Sequence, residues 1–138
     1  MDLKDLIARQ RAKIEAPKSE TVPVALGGEL VEVEVLKLLP DAWQELVATH
    51  PPRKTARSDI NMGYDQHALP RDYPASRVKV AGEDIDQATW AELWASLDSV
   101  NKKNVHAAMW GLNVYEAMQE LQELGKAVAA QQSESPAN

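Results

Sequence analysis

The residues with most chemical range are His50, His67 and His106, because imidazole binds metals and moves protons near neutral pH. None of them stands in a metal-ligand spacing such as HExxH. They read as a helix-end, a loop and a helix-surface histidine. Carboxylates are abundant, but Glu32 and Glu34 alternate with valines as the wet side of a strand, while Glu83, Asp84 and Asp86 fall at a turn and a helix cap. Gly27-Gly28 has neither the following helix nor the Lys-Ser/Thr of a phosphate loop, and no serine sits in a nucleophile-elbow context. The absence of cysteine closes thiol catalysis, Cys-based zinc sites and iron–sulfur ligation together. The expectation is a non-enzymatic protein with no metal site and no cofactor.

Binding chemistry has more candidates. Arg53, Lys54, Arg57, Arg71, Arg77 and Lys79 make a basic stretch, diluted by three acids and accompanied by Tyr64 and Tyr73. Against a net charge of −6 it reads as solvated loop charge, and no nucleic acid is expected as a partner. Trp43 with Leu46 and Val47, and Trp90 with Leu93, Trp94 and Leu97, have the one-face spacing of helices packed on a core. Met109 and Leu112, followed by Met118, Leu121 and Leu124, fit either an ordinary core or a groove for an apolar helix, where methionine adapts to varied partners.

The elements that must position these residues are legible in part. Residues 22–26 and 29–35 flank Gly27-Gly28, whose tolerance of positive φ suits a two-residue hairpin turn. That register sets Val24 opposite Val31 and Val22 opposite Val33, with four β-branched residues on one face; Pro23 marks the first strand as an edge. Helices are predicted from Pro40 to His50, from a cap at Asp86 to Leu97, and from about Val100 to Leu112. A last helix starts at an Asn113–Glu116 capping box. Residues 51–76 hold four of the eight prolines and show no period, so they read as a long functional or mobile loop.

The chain has 138 residues, 44% of them hydrophobic, a composition that folds as one domain without disulfides. We expect an α+β fold: an N-terminal β-hairpin (about 20–36), a second short hairpin (about 77–86), four or five helices and a predominantly helical C-terminal half. Residues 1–18 form a marginal helix or arm, capped by Asp2; 19–130 form a single globular domain; 131–138 form a disordered tail. No run is apolar enough for a membrane span and MDLKDLIARQ has no signal-peptide core, so the expectation is a soluble intracellular chain.

In order and punctuation the sequence resembles the tail assembly chaperones of long-tailed (siphovirus-type) phages, particularly those of actinobacterial phages. The carrying features are VPVALGGELVEVEVLKL running into a Pro-Asp-x-Trp helix at Pro40–Trp43, HPPR at 50–53, GYDQHALPRDYP at 63–74, TWAELWASL at 89–97 and NVHAAMWGLNVYE at 104–116. The likeness covers about residues 20–126. It implies a non-catalytic factor of the host cytoplasm, absent from the mature virion, that binds and solubilises the apolar helical segments of the tape-measure protein while tail tube protein polymerises. It also implies a longer frameshifted form, for which Leu124-Gly125-Lys126 can be encoded CTG-GGA-AAG, a run containing the slippery heptamer GGGAAAG. No catalytic residue transfers from that family. The candidate partner-binding residues are Met109, Tyr115, Met118, Leu121 and Leu124. The alternative is a structural virion component, such as a head–tail connector or tail-completion protein.

Overall fold

Gly27 and Gly28 both adopt positive φ (61° and 80°), closing a hairpin between β1 (Ser19–Leu26) and β2 (Glu29–Leu36). The register is the one the valines dictate: Val22 opposes Val33 and Val24 opposes Val31. A computed structural model describes residues 2–134, the side chains of 133 and 134 excepted. In it β2 also pairs with β3 (Val78–Val80), which turns through Ala81 and Gly82 into β4 (Glu83–Asp84). The two hairpins therefore join into one antiparallel sheet of order β1-β2-β3-β4, with the Pro23 strand at its edge. Val22, Val24, Val33, Val35 and Val78 are buried on one face, whereas Glu32 on the other is exposed. The fold is α+β.

Helices cover the buried face. α2 (Pro40–Ala48) places Pro40 in its first turn, where a missing N–H is harmless, and buries Trp43. Asp86 caps α5 (Gln87–Ser96) by accepting from the Thr89 N–H (2.7 Å), and Asp98 caps α6 (Ser99–Trp110) through Asn101 N. The Trp90 indole N–H reaches the Pro70 carbonyl (2.8 Å), which satisfies a fully buried donor.

The segment between α2 and β3 carries more structure than its prolines suggested. It contains α3 (Arg57–Met62), α4 (Ala68–Arg71) and a 3₁₀ turn at Ala75–Arg77. Its organiser is Asp59, the one buried charged residue among those described. The carboxylate accepts from Arg53 N, Nε and Nη2 and from Gln66 N and Nε2, at 2.7–3.2 Å. The Arg53 guanidinium, with those N–H donors, holds the Asp59 carboxyl well below the usual carboxylate range although burial opposes it. His50 adds a second tie, its ring bridging the Leu46 carbonyl and the Asp72 carboxylate (2.7 Å each). Gln87 closes the segment by donating to Tyr73 O and accepting from Ala75 N.

The C-terminal half departs from the sequence reading at Asn113. There is no helix start there, because α6 passes through a π segment (Gly111–Tyr115) directly into α7 (Glu116–Glu134). Asn113 is engaged in three directions. Its Nδ2 donates to the Met109 carbonyl (2.8 Å) and to the Tyr73 hydroxyl (3.0 Å), and its Oδ1 accepts from Leu38 N. A capping box needs that side chain on its own helix, and here tertiary partners hold it. Helix continues through Glu134, so residues 131–134 of the expected disordered tail are helical; 135–138 lie outside the described residues.

The accessible surface is 9494 Å². A compact chain of this mass would expose roughly 7,000 Å². Much of the excess has an evident source. α1 (Leu3–Glu15) buries none of its residues, and every described side chain from Glu120 to Gln132 is exposed.

Candidate partner-binding surface

The five candidate residues separate into two groups. Met109 is fully buried, packed in the core with Val105, Ala108 and Leu112. It is therefore corrected from a partner-binding residue to a core residue, the ordinary meaning of its one-face spacing. Tyr115, Met118, Leu121 and Leu124 are 44% to 74% exposed, and Val128 continues the series. The π segment separates the groups. Before it Val105, Ala108, Met109 and Leu112 are buried in the core; after it Met118, Leu121, Leu124 and Val128 are exposed.

The spacing shapes the surface. At about 100° per residue, steps of three rotate each side chain by about 60°, so Met118, Leu121 and Leu124 span about 120° of the α7 circumference. Val128, four residues after Leu124, falls between Leu121 and Leu124 by the same count. Such a band resembles the side of a helix that normally meets another helix. Tyr115 stands beside it with its ring 5.3 Å from that of Trp110.

α1 runs beside this helix without sealing it. Lys13 pairs with Glu120, and Lys18 pairs with Glu116 (2.9 Å). Both pairs are about half exposed and so add little to stability. The Lys13 ammonium holds Glu120 below its ordinary value, mainly through their hydrogen bond. Leu3 and Ile7 remain exposed on α1, which adds apolar surface on a second helix. The carboxylates of Glu116, Glu120 and Glu123 sit on the other side of α7, paired with Lys18, Lys13 and Lys126.

Among the described residues no group of three or more His, Asp or Glu side chains could hold a metal. The histidines have structural partners instead. The buried Tyr64 hydroxyl and Nε2 of His106 share a hydrogen bond of 2.6 Å, which partners both buried polar groups. Burial raises Tyr64 above the ordinary phenol range and lowers His106 from its ordinary imidazole value. Among the described residues no helix is long and apolar enough to cross a membrane. Comparisons with protein-family models, curated proteins and solved structures find no match to this chain.

Proposed function

We propose that this chain is a tail assembly chaperone of a long-tailed phage: a non-catalytic protein that keeps the tape-measure protein soluble in the host cytoplasm and is left out of the mature virion. The observation that carries the reading is the exposed band of Met118, Leu121, Leu124 and Val128 on α7, beyond the π segment. Exposed apolar surface rimmed by charge marks a site of association. A helix face with anchors at such spacing receives an amphipathic helix. The sequence likeness over residues 20–126 supplies the partner, a long helical protein whose apolar faces are bare before the tube encloses it. Tail tube protein and a longer frameshifted form of the chain complete the expected partners.

Co-expression with the large helical protein encoded downstream tests this. The chaperone reading expects that protein in the soluble fraction only when this chain is present, and co-purifying with it. Mass spectrometry of finished particles adds the second arm, since a structural virion component would be found in them and a chaperone would not.

A further inference from the structure

A second concave surface lies away from α7, where the 51–76 segment meets the first turns of α6. Its volume is about 530 Å³, within the range of ligand-sized clefts. Arg53, His67, Ser99, Lys102, Lys103 and His106 line it, and no carboxylate does, in a chain where acids outnumber bases 21 to 15. Arg53 is already committed to Asp59 and lies 3.5 Å from Asp65. The free cations are thus Lys102 and Lys103, neither of which has an ion-pair partner among the described residues. Lys102 sits over the Trp94 ring (5.8 Å), and the His67 ring lies 6.2 Å from that indole. Trp94 lines the cleft, and its buried Nε1–H has no acceptor among the described residues.

We propose that this cleft docks an acidic peptide segment of a protein partner. The lining offers ammonium and hydroxyl donors, which acceptor-only carboxylates complement. Lysine pairs with phosphate too, as a point charge, but specific phosphate sites add backbone N–H cradles or free guanidinium forks. Here both Nε and Nη2 of the one lining arginine are bonded to Asp59, and no glycine lines the wall. Flexible lysine stems at the edge of an open cleft suit carboxylates carried on a chain. The proposal is independent of the α7 surface, which is apolar and on other elements.

The test follows the Trp94 indole N–H signal of the ¹⁵N-labelled full chain during titration with a hexaglutamate peptide and, separately, with inorganic pyrophosphate, at constant ionic strength. The expected result is a saturable shift with the peptide at lower concentration than with pyrophosphate. Lys102→Glu with Lys103→Glu weakens the peptide by about ten-fold or more, whereas Lys54→Glu, outside the cleft, changes it less than about two-fold. Lys103→Gln, a neutral change at an exposed position, covers the case of a misfolded double variant and weakens binding by about three-fold. No saturable shift, tighter binding of pyrophosphate, or wild-type binding by the folded lysine variants would overturn the proposal.

Discussion

Replacing Asp59 by Asn isolates the organiser of the 51–76 segment. The native carboxylate accepts five hydrogen bonds, three of them from Arg53 and two from Gln66. An asparagine that keeps the oxygen facing Gln66 turns its NH₂ toward Arg53 N and Nε, which are both donors. Two bonds to a charged acceptor are then lost, each of about 1.5–3 kcal/mol. Water reaches the half-exposed Arg53 side chain and recovers part of that, leaving an expected loss of about 2–4 kcal/mol. Urea unfolding followed by tryptophan fluorescence measures it, with Trp43 5.6 Å from Tyr64 as a nearby reporter. The pH dependence gives a second handle. Because Asp59 is held below its ordinary value, its contribution is complete above the unfolded carboxyl value near 3.9 and is lost as pH falls through the lower folded value. The gap between wild type and Asp59→Asn should therefore be full at pH 6 and shrink below about pH 4. A loss under about 0.5 kcal/mol at pH 7, or a gap unchanged down to pH 3, would refute the assignment of Asp59 as the latch.

Other consequences are as direct. Asn113→Ala removes the bonds to Leu38 N, Tyr73 Oη and Met109 O and should lower stability by about 1–3 kcal/mol in the same urea assay; an unchanged midpoint would show the π segment holds without it. Burial raises the Tyr73 hydroxyl to about 12 and raises Tyr64 further, so the stability these phenols contribute is present below pH 10 and falls as pH rises through their folded values. Ultraviolet titration should then show neither ionising until the fold opens; normal ionisation of Tyr64 and Tyr73 near pH 10 would contradict their burial. Deleting residues 1–16 should leave the urea midpoint unchanged, since α1 buries no side chain, and a large drop would mean that α1 carries part of the core.

The local parts of this fold were readable because their causes are local. Gly27-Gly28 and the alternating valines fix a register without help from the rest of the chain, and Asp86 announces a helix three residues before the N–H it caps. The β2–β3 pairing joins residues 33–35 to 78–80, and no neighbouring residue signals a contact of that separation. Asp59 reads as one loop acid among many, since its five donors meet only when the segment is folded. Asn113 gave a misleading signal: Asn followed three residues later by Glu is a cap pattern, but the Tyr73 hydroxyl and the Leu38 N–H take the side chain that a cap would use. The candidate surface was half legible. Periodicity marks which helix residues are apolar but not which of them the fold covers, and the π segment separates buried Met109 from exposed Met118.

The central claim is that the apolar band on α7 binds and is not core. The deciding comparison is Met118→Asp with Leu121→Asp against wild type, each co-expressed with the tape-measure protein. Both side chains are exposed, so the double variant should unfold at the wild-type urea concentration, within about 0.5 kcal/mol. The tape-measure protein should nevertheless move to the insoluble fraction, because burying these two side chains contributes roughly 2–4 kcal/mol to an interface, about 30-fold or more in affinity. A folded double variant that keeps its partner soluble and bound would contradict the account.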